Sequence, residues 1–123
     1  MPVEVVDASA LGAVLFVEPE ADRVAPRIDA GTLVAPALLD VELASICLKK
    51  LRHHPDRRDL LLRGLSARSR FAIRIVPIDP PDVVALAEST GLTAYDACYL
   101  WLARSLRAGL ITLDRRLAAA AAA

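Results

Sequence analysis

Four short apolar runs constrain this chain more than any other feature: Val3 to Val6, Thr32 to Ala35, Phe71 to Val76 and Leu110 to Leu113. Each is too short for a stable helix. Phe71 to Val76 alternates and is β-branched, and the others are apolar almost throughout, as strands covered on both faces are. Helical stretches separate them, and strands joined through helical crossovers lie parallel. The expected fold is α/β: a three-layer sandwich with a short central parallel sheet of four or five strands and helices on both faces. Residues 1–123 read as one domain, with no internal repeat and no linker.

The segment Thr93 to Asp114 shows the pattern most fully. Thr93 is an N-cap candidate, and Asp96 stands three residues later, where a carboxylate suits a helix start. Ala97, Leu100, Trp101 and Leu102 make this helix apolar on most sides, and Gly109 is expected to end it as a C′ glycine. Leu110 to Leu113 then makes an inner strand with Asp114 where it stops. The carboxyl ends of strands in open α/β sheets are where ligands bind.

Elsewhere, Ser9 is expected to cap a helix through about Phe16, and Glu18-Pro19-Glu20 opens one ending near Asp29. Pro36 starts a long helix to about Arg52. His53-His54-Pro55-Asp56 forms a surface turn before a basic helix over roughly Arg57 to Ser69. Asp79-Pro80-Pro81-Asp82 begins a helix to Thr90 that Gly91 closes. A short helix follows Asp114, and Ala118 to Ala123 reads as its frayed end.

Composition narrows the class. Aromatic residues make up only 4% of a chain that is 55% hydrophobic, so the core is aliphatic. The longest uncharged runs, Ala8 to Val17 and Ala30 to Leu39, are far short of a membrane span, and the start of the chain has no basic signal-like region. Cys47 and Cys98 sit in apolar helical contexts and read as buried thiols. A cytoplasmic protein is expected. Net charge is zero but unevenly spread: nine of 15 basic residues and only two acids lie between Lys49 and Arg74. That segment could hold phosphates, or it could be a solvated helical surface.

The acids carry the chemistry. Asp7 ends the first strand and Asp114 the last; each, like Asp96, could be only a helix cap. Glu42 is harder to explain that way. It lies among Leu38, Leu39, Ser45 and Ile46, with no lysine or arginine three or four residues away. A carboxylate on an apolar stripe must be paired, protonated or metal-bound. If these helices turn Glu42 and Asp96 toward the strand ends, four carboxylates meet, and a divalent cation is the natural counter-charge. Hard oxygen donors without a His or Cys cage point to Mg²⁺, with Mn²⁺ possible.

The stretches VVDASALGAVL, LVAPALLDVELA, LTAYDACYLWLA and LITLDRRLA, taken in order, resemble the PIN-domain ribonucleases, and in particular the VapC-type toxins of toxin–antitoxin pairs. The resemblance implies a PIN-like sandwich and Mg²⁺-dependent cleavage of RNA phosphodiesters, leaving a 5′-phosphate and a 3′-hydroxyl. It implies that Asp7, Asp96 and Asp114 hold metal, with Glu42 ligating directly or through water. Ser9, Ser45 and Thr112 would support the site; Ser45 stands where many members have asparagine. It also implies a cognate antitoxin and favours a homodimer. Arg57, Arg58 and Arg63 are the candidates for guiding RNA.

Two alternatives share the fold. A phosphoacceptor receiver-like domain wants adjacent acids early in the chain and a lysine after the last strand, whereas the only lysines are Lys49 and Lys50. A non-catalytic PIN-like interaction module would keep the acids only in part. Leu11, Val14, Leu15, Phe16 and Val17 nearly surround one helix, and Leu38, Leu43, Leu48 and Leu51 another. That is more apolar surface than one small domain is expected to bury, so some of it should face a symmetry mate. Tyr95 and Tyr99, flanking Asp96, are expected to pack in the core.

Overall fold

The computed structural model describes residues 2–123. Strands β1 (Val3–Val6), β2 (Thr32–Ala35), β3 (Ile73–Ile75) and β4 (Gly109–Ile111) form a parallel sheet in the order β3-β2-β1-β4. The helices are α1 (Ala8–Leu15), α2 (Ala21–Ala30), α3 (Leu38–His53), α4 (Arg58–Ser66), α5 (Pro80–Thr90), α6 (Ala94–Leu106) and α7 (Arg115–Ala122). Single 3₁₀ turns, Pro55–Arg57 and Ala67–Arg70, flank α4.

Period-two alternation divides the core into two halves. Val6, Leu33, Ala35 and Ile111 pack with Leu11, Leu15, Val24, Ile28, Leu39, Leu43 and Leu61 from α1 to α4. Val5, Val34 and Leu110 pack with Val83, Leu100, Leu102 and Leu117 from α5 to α7. Strands covered on both faces spare few polar positions, which is why β1, β2 and β4 are so apolar, whereas Arg74 and Ile75 of the edge strand β3 stay exposed. The result is the expected three-layer sandwich with four strands. Because β1 pairs with β2 on one side and β4 on the other, the chain reverses its direction of travel across the sheet at β1. The carboxyl ends of β1 and β4 lie at that switch point.

Several local expectations are corrected. Asp7, not Ser9, caps α1, accepting from Ala10 N at 2.9 Å. Gly109 is not a helix terminator: Arg107, at φ 51°, ends α6 in the left-handed region, and Gly109 opens β4. A Cβ on Gly109 would meet the Glu4 carboxylate on the paired strand, which would have to swing aside. Gly91, at φ 75°, does close α5. Tyr95 is 63% exposed rather than in the core. The alanine run is helical through Ala122. Of the crowded apolar residues, Leu11, Leu15, Phe16 and Leu43 are buried within this one chain, whereas Val17 and Leu48 stay exposed.

Candidate active site

Asp7 is the residue on which the strand ends close. It is 4% exposed, the one buried charged side chain among the described residues. Its Oδ1 accepts from Ser9 Oγ at 2.7 Å and Ala10 N at 2.9 Å, and its Oδ2 accepts from Thr112 Oγ1 at 2.5 Å. Each hydroxyl also accepts a backbone N–H from the segment after β4: Leu113 N donates to Ser9 Oγ at 2.9 Å, and Asp114 N to Thr112 Oγ1 at 3.0 Å. Both hydroxyl protons are thereby committed to the carboxylate. The network ties the end of β1 to the exit of β4.

Asp114 follows directly. It caps α7 by accepting from Leu117 N at 2.9 Å. On the long helix, Glu42 is half-buried, and Tyr99 Oη donates to its Oε1 at 2.6 Å. Asp96 is half-buried in the first turn of α6, behind the Thr93 cap, whose hydroxyl accepts from Asp96 N at 3.1 Å. Capping and pocket-lining are not alternatives here, because Asp7 and Asp114 do both.

All four carboxylates line one pocket of about 230 Å³, together with Ser9, Ser45, Lys49 and Tyr99. Burial is the main cause raising the carboxyl pKa of Asp7, Glu42 and Asp96 above the ordinary range. Like charge adds to it, from Asp114 on Asp7 and Asp96, and from Asp96 and Asp7 on Glu42. Hydrogen bonds from Thr112, Ala10 and Ser9 oppose the rise at Asp7, as the Tyr99 bond does at Glu42. The acids face one pocket rather than converging on a point: among the described residues, no three Asp, Glu, His or Cys side chains are gathered tightly enough to hold an ion alone. Hard oxygen donors spaced this way fit a divalent cation that keeps several of its waters and takes further ligands from a bound phosphate.

The PIN domain family matches residues 5–123, which contain all four acids. This chain belongs to the PIN-domain family. It is similar to PAE2754 from Pyrobaculum aerophilum, whose crystal structure superposes with a TM-score of 0.77 at 28% identity, over 97% of this chain and 84% of that one. No curated protein matches it. PIN domains are generally nucleases and generally use divalent metals.

Within this PIN domain, Arg57, Arg58 and Arg63 are exposed and do not line the acid pocket; Arg63 borders a separate cavity with Asp59, Leu62 and Ser66. Lys49 is the basic residue in the pocket wall, and sequence reasoning missed it by searching only one turn from Glu42. It stands two turns along the same helix and one turn beyond Ser45, a spacing that shares a face. Tyr99 was also missed as a site residue. It lies three positions after Asp96, and a buried phenol requires a partner. His53 and His54 are exposed at the end of α3, as expected. A larger cavity of about 640 Å³ is apolar, bordered by Leu38, Ile75, Val84 and Tyr95 and by none of the acids. No helix among the described residues is long and apolar enough to cross a membrane.

Proposed function

We propose that this PIN domain is a Mg²⁺-dependent endoribonuclease, with Mn²⁺ as the alternative ion, and the toxin of a type II toxin–antitoxin pair. RNA is its substrate, a cognate antitoxin its inhibitor and a homodimer its working form. One observation carries the nuclease reading: Asp7, Glu42, Asp96 and Asp114, drawn from four parts of the chain, line a single polar pocket. In this reading Asp7, Asp96 and Asp114 hold the ion, and Glu42 ligates it directly or through water. The bound ion supplies charge neutralisation at the phosphoryl oxygens and a lowered pKa for the attacking water.

The chain's own residues do the rest. Ser9 and Thr112 fix both oxygens of Asp7, and Tyr99 fixes one oxygen of Glu42. Lys49 offers a phosphate-facing charge at the pocket wall, and Ser45 lines it beside Glu42. No nucleophilic side chain is required. The test is cleavage of single-stranded RNA by purified protein with Mg²⁺, its loss on chelation, and its loss in Asp96→Asn and Asp114→Asn. Undiminished cleavage in both variants would overturn the assignment.

The toxin reading rests on the four motif stretches and their order. It predicts growth arrest on expression, relieved by co-expressing an antitoxin encoded beside it. The homodimer reading is supported by exposed Ile75, Val84 and Tyr95 around the apolar cavity and by exposed Leu48 on α3. A monomer by light scattering would remove it.

A further inference from the structure

Tyr99 and Glu42 are 57 residues apart in sequence and joined by one hydrogen bond across the pocket. Tyr99 is 1% exposed, so its hydroxyl has lost water and depends on the acceptor it finds. That acceptor is the Oε1 of a pocket carboxylate. Among the described residues Glu42 has no other hydrogen-bond partner and no ion pair. One oxygen is therefore held and the other is left to the pocket. At Asp7 the donors are shared unequally, two on Oδ1 and one on Oδ2, which leaves Oδ2 the freer oxygen.

A hydrogen bond to one carboxylate oxygen weakens that oxygen as a donor to a cation and biases the group toward coordinating through the other. That distinction separates ions: Ca²⁺ accepts six to eight oxygens and readily takes carboxylates through both, whereas Mg²⁺ demands a near-ideal octahedron and retains water. We infer that Tyr99 is a positioning residue that holds Glu42 as a one-oxygen donor and so makes the pocket favour small octahedral cations over Ca²⁺. The inference rests on the metal-dependent reading above and deepens it. In this scheme Tyr99 touches neither ion nor substrate and acts through Glu42.

Calorimetric titration of the RNA-free protein with Mg²⁺ and with Ca²⁺ tests it, using wild type, Tyr99→Phe, Glu42→Gln and the double variant. Tyr99→Phe should weaken Mg²⁺ binding about tenfold, as loss of a ligand's supporting hydrogen bond does. Ca²⁺ affinity should hold or rise, so the ratio of the two dissociation constants moves by about the same factor. In the Glu42→Gln background the same change should leave that ratio alone. In otherwise unaltered protein, fluorotyrosine at position 99 should give a fluorine resonance that moves when Mg²⁺ binds, which keeps the test open if Tyr99→Phe does not fold. A stationary resonance, or both ions weakened equally by Tyr99→Phe, would overturn the inference alone. Failure of the wild type to bind either ion would overturn it together with the reading beneath it.

Discussion

The two walls of the acid pocket are built in different ways. At the strand ends, Asp7 receives three donors, and those donors also fix the start of α1 and the exit of β4. On the helical wall, Glu42 rests on one hydrogen bond from Tyr99, and Asp96 projects from a helix that Thr93 already caps. The strand-end acid is thus part of what holds the fold together, while the helical acids are carried by helices that other contacts position. Acids that share a pocket need not share a structural cost, and mutating them should expose the difference.

The largest effect is expected from truncation. Asp7→Ala removes the acceptor for a helix-capping N–H and for two hydroxyls, and should destabilise the metal-free protein by about 2 kcal/mol. Glu42→Ala, which orphans one phenol and relieves like-charge repulsion, should cost less than half as much. Urea denaturation of both variants measures this, and equal losses would erase the comparison. Next in size is the isosteric pair. Asparagine at position 7 keeps the cap but turns an amide NH₂ toward Thr112, which already takes the Asp114 N–H, so Asp7→Asn should lose about 1 kcal/mol. Asp96→Asn removes only charge and should melt at the same temperature or higher. A reading in which every acid is simply a repelling ligand predicts no loss for either.

A smaller effect should appear with pH. Asp7, Glu42 and Asp96 have folded pKa values raised above the ordinary 3.8 for Asp and 4.5 for Glu, so the metal-free fold binds protons more tightly than the unfolded chain does. Their contribution to stability is complete below those ordinary values and is lost as the pH rises through the raised ones. The urea midpoint of metal-free protein should therefore carry a component that falls as the pH rises above those ordinary values. Asp96→Asn should make it shallower, and a saturating divalent ion should flatten it. A slope identical in wild type and Asp96→Asn would mean that the helical wall contributes nothing to it.

The smallest effect separates the pocket wall from the surface. Lys49→Ala should weaken RNA binding and reduce the salt slope by about one. Replacing Arg57, Arg58 and Arg63 together should change the slope less than this one residue does, because none of the three reaches the pocket. The reverse order would restore the basic segment as the RNA track.

The four strands were legible as short apolar runs, interrupted only by Glu4 in β1 and Arg74 in β3. Their ends were not. β4 stops at Ile111, and beyond it Leu113 N donates to Ser9 Oγ, 104 positions away, while Asp114 N turns back to Thr112 Oγ1. The acids stood out by their apolar surroundings, Glu42 most of all. The Tyr99 bond could not be read, since nothing local indicates which side chain a buried phenol will meet. Gly109 misled for a different reason: a glycine after a helix looks the same whether it turns the chain or opens a strand beside the Glu4 side chain.

The order of strands across the sheet has a temporal consequence. β1 can pair with β2 soon after both are made, but its other edge stays open until β4 is synthesised. Thr112, which completes the Asp7 network, lies 105 residues beyond it. Contacts between such distant positions close large loops and form late, so this pocket belongs to the last stage of folding. A growing chain carries Asp7, Glu42 and Asp96 before it carries the residues that lock Asp7 in place and bring in Asp114. Under the proposed ribonuclease function, a chain assembled in this order would stay inert toward the messenger it is being translated from until its synthesis is nearly finished.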